Sequence, residues 1–221
     1  MINRYLKDLA SLFFPKTCVG CDTPLVYGEK VICTTCWYHL PVTSSHHGIS
    51  NLSTGQSASF VYLLGSSRVQ RIIHQLKYHN RPEIGTLLGE KYGTILDKTV
   101  PFNAVDVIVP VPLHPQKLQK RGYNQSAFFA QGLSHTLQKP IAEQCLIRHR
   151  ITDSQTTKNR YERYENMESA FRLNDAEAVA GKHVLLVDDV LTTGATLEAC
   201  STALLAGGAR QVSAVTIARA L

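Results

Sequence analysis

The stretch Val184-Leu185-Leu186-Val187-Asp188-Asp189-Val190-Leu191-Thr192-Thr193-Gly194-Ala195-Thr196 constrains this chain more than any other part of its 221 residues. Val184 to Val187 is a short all-apolar run, the pattern of a parallel strand covered on both faces. Leu197 to Leu205 then reads as a helix, stopped by Gly207-Gly208. Two adjacent carboxylates therefore stand at the carboxyl edge of a strand, and a Thr/Gly loop opens the next helix. Loop amides, threonine hydroxyls and the helix dipole can together cradle a phosphate dianion. The carboxylates, about 10–15 Å of chain upstream at ~3.3 Å per residue, can accept hydrogen bonds from sugar hydroxyls. A pentose carrying a 5′-phosphate fits both ends.

An ordinary strand-to-helix turn with a polar rim draws on the same residue types. It does not require two acids and four hydroxyl or glycine positions in this order. No GxxxxGK[ST] string occurs, and Gly181-Lys182-His183 lacks both the first glycine and the hydroxyl of that motif. The spaced glycines of a dinucleotide fold are missing too. The Asp188–Thr196 string instead resembles the phosphoribosyl-pyrophosphate (PRPP) motif of type I phosphoribosyltransferases.

A second landmark is Cys18, Cys21, Cys33 and Cys36, two CxxC pairs separated by eleven residues. Two such knuckles can bring four thiolates into the tetrahedron of a closed structural zinc site, which leaves no open position for catalysis. Disulfides are the competing reading, disfavoured in a cytoplasmic protein. Zinc would compensate for a segment too small to bury a core. Cys145 and Cys200 fall on apolar faces and read as inert core residues. No apolar run approaches the ~20 residues of a membrane span. Met1 to Phe14 is amphipathic and lacks the apolar core and cleavage site of a signal peptide, so a cytoplasmic location is expected. The formal net charge of +6 favours anionic partners: phosphates, a membrane surface or nucleic acid.

Between the landmarks the chain divides into an N-terminal helix and zinc module (residues 1–41), a Ser/His/Gly-rich linker (42–59) and an α/β domain (60–221). His46-His47 in the linker reads as solvated rather than metal-bound. A strand is expected at Phe60-Leu64, and Val69, Ile72, Ile73 and Leu76 recur with the spacing of a buried helix face. Ile84 to Leu96 continues that pattern. Val105 to Val111 reads as a strand whose pairing should stop at Pro110, because proline cannot donate to a ladder. Phe129, Leu133 and Leu137 mark a helix. Ile141–Ile147, Ala170–Leu173, Val184–Val187 and Val212–Ile217 complete a strand–helix alternation. That order predicts a doubly wound, mainly parallel sheet with right-handed crossovers and ligands at the carboxyl ends of its strands. Three polar loops meet at that edge: 112–125, 148–166 and 188–196.

Loop 112–125 carries Lys117, Lys120, Arg121, Asn124 and Gln125. Facing a diphosphate, Arg121 can bind two oxygens at once, as lysine cannot. Segment 148–166 is long, basic and aromatic, with Arg148, Arg150, Lys158, Arg160 and Arg163 interleaved by Tyr161 and Tyr164. It fits a lid that closes over a ligand. It fits equally a groove for single-stranded nucleic acid, with arginines on phosphates and tyrosines under bases. A solvated loop or an exposed helix is the third reading. Lys77 ends a helix, where a cation suits the dipole; that role and a ligand role both stand.

The cysteine pairs, Leu76-Lys77-Tyr78, Val109-Pro110-Val111-Pro112-Leu113-His114, Arg121-Gly122-Tyr123-Asn124-Gln125 and the Asp188–Thr196 string fall in the order seen in the ComF family, also called competence protein F or GntX-like. Arg148-His149-Arg150-Ile151-Thr152 with Gln155 resembles that family's inter-strand loop. The resemblance runs from Cys18 to Ile217. It implies a type I phosphoribosyltransferase-like domain with an N-terminal zinc finger, binding of PRPP with Mg²⁺, and a part in natural transformation through uptake of single-stranded DNA. A DNA-uptake helicase joins the expected partners. Matched by position, Asp188 and Asp189 would hold the ribose hydroxyls and Thr192, Thr193, Gly194, Ala195 and Thr196 the 5′-phosphate. His114, Lys117, Arg121 and Arg148 complete the expected PRPP set. The fold itself is no proof of turnover. Three readings follow in order: a binding module for single-stranded DNA, a transferase moving ribose 5-phosphate to a nitrogenous acceptor, and a PRPP-sensing regulator.

Overall fold

A computed structural model describes residues 15–43, 55–65, 67–148 and 170–221. Its strands are β1 (Ser57–Leu63), β2 (Val107–Pro110), β3 (Leu146–Arg148), β4 (Phe171–Leu173), β5 (His183–Leu191) and β6 (Gln211–Ala220). Its helices are α1 (Thr34–Tyr38), α2 (Arg68–Tyr78), α3 (Glu83–Leu96), α4 (Pro115–Arg121), α5 (Gln125–Leu137) and α6 (Ala195–Ala206). The main sheet runs β1-β6-β5-β2, and every pairing in it is parallel.

Alternate strand residues feed two cores, as the two-residue period of a strand requires. Leu185, Val187, Ile108, Val215 and Ile217 join one cluster with Ile72 and Leu76 of α2, Leu88 of α3, and Phe129 and Leu133 of α5. Val184, Leu186, Val107, Val109, Val212 and Ala214 join the other with Leu197, Cys200 and Leu204 of α6. The helices that follow β1 and β2 thus cover one face, and the helix that follows β5 covers the other. β2 and β5 are neighbours whose following helices lie on opposite faces, and the carboxyl ends of two such strands are the position where ligands bind in such sheets.

Several local expectations shift. β1 starts at Ser57, three residues before the expected Phe60, and β5 extends through Leu191, so both carboxylates remain within the ladder: Asp188 lies opposite Thr216. Pairing does not stop at Pro110. The Val111 N–H still donates to Val187 O (2.8 Å), whereas Ile108 N–H turns outward to Pro140 O (2.9 Å). Strand residues alternate their donors, so the missing N–H of Pro110 points to the outer side, where the strand has no further partner to satisfy. Only Ile141 of the expected strand 141–147 pairs with the main sheet, through a parallel bridge to Ile108. Residues 146–148 pair antiparallel with β4 in a separate two-stranded sheet. Loop 112–125 holds a helix of its own, α4, with Pro115 at its start and Gly122 in the left-handed conformation (φ 79°) at its end. Proline inside the start and glycine past the end is the pattern that favours such a helix. Segment 149–169, with Arg150, Lys158, Arg160, Tyr161, Arg163 and Tyr164, lies outside the described residues, as do 1–14 and most of the expected linker.

The cysteine module is continuous with the sheet's core. Cys18, Val19, Ile32, Cys36 and Leu40 belong to the cluster that also holds Ile72 and Phe129. The chain leaving the module runs antiparallel along the outer edge of β1. Thr43 N–H donates to Phe60 O (3.0 Å), Tyr62 N–H to Pro41 O (2.9 Å), and Val42 bridges Val61.

Helices α3 and α5 meet through glycines. Gly85, Gly89 and Gly93 line one face of α3, each four residues from the next. A Cβ on Gly89 would sit 2.3 Å from Phe129 O and 2.9 Å from Gly132 Cα. A Cβ on Gly132 would sit 2.0 Å from Thr86 O. This contact fixes how deep α5, and hence its N-terminus, lies against the sheet. Gly132→Ala is expected to destabilise the chain by about 1–3 kcal/mol through overpacking, read as a lower urea midpoint; an unchanged midpoint would remove the seam from the account.

Candidate functional site

Asp188 and Asp189 are consecutive strand residues that find different partners. Ser126 Oγ, at the start of α5, donates to Asp188 Oδ1 (3.0 Å), and the Asp189 backbone N–H donates to the same oxygen (2.8 Å). Asp189 Oδ1 pairs with Lys77 Nζ in the last turn of α2 (3.0 Å). The side chains of this pair are only 19% and 13% exposed, so solvent screens it less than a surface pair.

Three elements converge to build this corner. Asn124 caps α5, its side chain accepting from Ser126 N–H (3.2 Å) and donating to Val111 O (2.9 Å). The Tyr123 hydroxyl donates to Leu76 O, tying loop 112–125 to the end of α2. Arg121 donates to Gln125 Oε1 (2.9 Å), and its guanidinium lies 5.2 Å from the centre of the Tyr78 ring. Burial, and next the negative charge of Asp189, raise the Asp188 carboxyl from its ordinary 3.8 to about 7; the Asp189 N–H, the Ser126 hydroxyl and Lys77 pull the other way.

Downstream, Gly194 takes the left-handed conformation (φ 83°) as the N-cap of α6, a position that strains any residue with a Cβ. Gly194 has no side chain to accept from the first amides, so Thr193 Oγ1 accepts from Ala195 N–H instead, and Thr192 and Thr193 stand exposed beside the helix start. Thr193 Oγ1 lies 3.5 Å from Ala195 N. This is a donor-rich turn one strand-end away from two acceptors.

The remaining expected residues lie on other elements. His114 caps α4, its Nδ1 accepting from Gln116 N–H (3.3 Å), and Lys117 is exposed on the same helix. Arg148 lies over the Phe171 ring (5.1 Å) and lines a cavity of about 720 Å³ between loop 112–124, α5 and β3. Neither carboxylate nor any residue of 192–196 lines that cavity. Ser126 lies outside every motif string, whereas Lys77 and Tyr123 stand within Leu76-Lys77-Tyr78 and Arg121-Gly122-Tyr123-Asn124-Gln125. The Asn124-Gln125-Ser126 helix start carries a capping signal for Ser126, and for Lys77 the sequence leaves a helix-end role and a ligand role both standing.

The four cysteine sulfurs lie within 4.8 Å of one another. Cys21 and Cys33 are 3.7 Å apart, near the edge of a tetrahedron with ~2.3 Å metal–sulfur bonds and far beyond a ~2.05 Å disulfide. The cluster is compatible with structural zinc. Backbone N–H groups of Gly20 and Cys33 point at Cys18 Sγ (3.4 and 3.2 Å) and that of Cys36 at Cys33 Sγ (3.4 Å), which suits thiolates. Hydrogen bonding to Thr23 lowers the Cys21 thiol to about 6, while burial raises Cys33 and Cys36. Among the described residues no helix is long and apolar enough to cross a membrane.

Comparison with known proteins adds four findings. A phosphoribosyl transferase domain matches residues 123–221. DNA utilization protein YhgH of Escherichia coli (strain K12) is 31% identical over 235 residues, covering 95% of this chain and 100% of that protein. Competence protein F of Haemophilus influenzae is 32% identical over 153 residues, covering 67% of each. Among solved structures, the glutamine phosphoribosylpyrophosphate amidotransferase from B. subtilis complexed with ADP and GMP is similar at 20% identity and a TM-score of 0.45, over 65% of this chain and 30% of that one.

The raised carboxyl of Asp188 has a consequence for stability. Between the unfolded value and about 7 the folded chain holds a proton that the unfolded chain has lost, so this group's stabilisation fades as pH climbs through that window. Asp188→Asn keeps an acceptor for Ser126 without the charge. Its melting temperature is expected to exceed wild type by a few degrees at about pH 8, with the gap narrowing towards about pH 5. A gap that does not vary with pH would contradict the assignment.

Proposed function

The chain belongs to the ComF family, and from that premise we propose that it is a PRPP- and Mg²⁺-binding, phosphoribosyltransferase-like protein of natural competence that handles single-stranded DNA during uptake. The observation that carries the PRPP part is the paired carboxylates of β5, followed by a helix start whose N-cap, Gly194, has no side chain and whose flanking Thr192 and Thr193 are exposed. In this reading Asp188 and Asp189 accept hydrogen bonds from the ribose hydroxyls, directly or through metal-bound water. The amides and hydroxyls of Thr192 to Thr196 take the 5′-phosphate. Arg121 and Lys117, from the neighbouring loop, face the diphosphate, with His114 and Arg148 completing the set. Mg²⁺, when bound, supplies neutralisation of the diphosphate's charge. Cys18, Cys21, Cys33 and Cys36 hold a structural zinc, and the protein works in the cytoplasm. Residues 1–41 form the zinc-bearing unit, 42–59 a connector and 60–221 the phosphoribosyltransferase-like unit.

The same donor site would serve an active transferase. There the carboxylates would stabilise positive charge developing on the ribose ring as the diphosphate leaves. Calorimetry with PRPP and Mg²⁺ tests the shared premise. Replacing both Asp188 and Asp189 by Asn removes two charge-assisted contacts of about 1.5–3 kcal/mol each, so affinity should fall at least tenfold. Equal binding by the variant would reject the site. Incubation with PRPP, Mg²⁺ and a panel of nucleobases separates the two roles: pyrophosphate release supports transfer, and silence across the panel leaves binding as the function.

The DNA part rests on the net charge of +6, on the basic and aromatic composition of 148–166, and on relatives named for DNA utilization and competence. Affinity for single-stranded DNA should fall with salt at a slope near −0.7 per phosphate contacted. Arg160→Glu with Arg163→Glu should weaken binding and flatten that slope. Binding that ignores both changes would place the groove elsewhere.

A further inference from the structure

The ion pair between Lys77 and Asp189 is a contact at the corner that a bound sugar diphosphate would have to rearrange. Lys77 Nζ sits 3.0 Å from Asp189 Oδ1, and both side chains are largely hidden from solvent. An ammonium in that place fills the space that a hard cation needs, since magnesium binds carboxylate oxygens at about 2.0–2.1 Å and in near-ideal octahedral geometry. It also cancels charge. Asp188, Asp189 and Lys77 together carry at most one net negative charge, so a bare divalent ion meets little attraction there.

The surroundings fix the backbone around Lys77, and its ammonium is held by Asp189. Leu76, on one side, has its carbonyl held by the Tyr123 hydroxyl; Tyr78, on the other, lies under the Arg121 guanidinium. Both anchors belong to the loop that carries the expected diphosphate ligands. The lysine head rides on a flexible four-carbon stem, unlike the rigid fork of an arginine. It also stands in the last turn of α2, where helix carbonyls favour a cation that has let go of its partner.

We propose that Lys77 is a displaceable counter-ion of Asp189, so that the site accepts a divalent cation together with a diphosphate ligand and not before it. The negative charge of the diphosphate draws the ammonium away and brings the metal that replaces it. This rests on the PRPP reading above and adds to it an order of binding and a positioning role for Lys77.

The test is Mn²⁺ binding to the zinc-loaded full chain, without PRPP, followed by electron paramagnetic resonance. Lys77→Met should bind Mn²⁺ at least about tenfold more tightly than wild type, which corresponds to about 1.4 kcal/mol. Lys77→Arg, which keeps the pair, should stay at the wild-type level, and Lys77→Met with Asp189→Asn should lose the gain. Lys77→Gln gives the same comparison if the methionine variant does not fold. A folded Lys77→Met or Lys77→Gln with no gain overturns the counter-ion role, even where calorimetry shows that wild type binds PRPP. A gain in a protein that ignores PRPP upholds the counter-ion role and overturns the diphosphate as the group that displaces it.

Discussion

The candidate site depends on β5 being hydrogen-bonded along both edges. β2 holds one side and β6 the other, and the ladder with β6 continues past the carboxylates to Leu191. A strand fixed in this way cannot slip by one residue without turning its apolar set to the wrong core. The positions of Asp188 and Asp189 are therefore set by Leu185, Leu186 and Val187, which are fully buried. The carboxylates need not hold themselves in place. They are free to be placed where burial and mutual repulsion make them costly, because the sheet meets that cost.

The same arrangement explains why the corner is built from three distant stretches of chain. α5 brings Ser126 to one carboxylate because its glycine contact with α3 lets it lie close to the sheet. α2 brings Lys77 to the other because Ile72 and Leu76 bury its inner face. Loop 112–125 ties the two helices together through Tyr123 and Asn124. The carboxylates thus report on the packing of the whole helical layer.

The sequence made the alternation of strands and helices readable, because Val184–Val187, the stripe 69–76 and the stop at Gly207-Gly208 each carry a period or a stop signal. It also made the cysteine cluster readable from spacing alone. β3 and β4 were read as part of the parallel alternation because three-residue strands carry too little pattern to show direction. α4 escaped because Pro115 to Arg121 buries no residue and so shows no apolar stripe. The glycine spacing at 85, 89 and 93 was visible, but its meaning depended on which helix lay opposite. Lys77 looked like a helix-end cation, and nothing local to it names Asp189 as a partner. Pairings of that kind arise from the fold and are written in no single segment.

The short strap at Pro41–Thr43 has a bearing on solubility. An uncovered outer edge of β1 would offer unpaired amides and carbonyls to any passing extended chain, the usual start of intermolecular strand addition. Here the chain emerging from the cysteine cluster lies along that edge and occupies those groups. Protection of the sheet against self-association is thereby linked to order in the cluster, and the cysteine module acts as a guard for the sheet behind it.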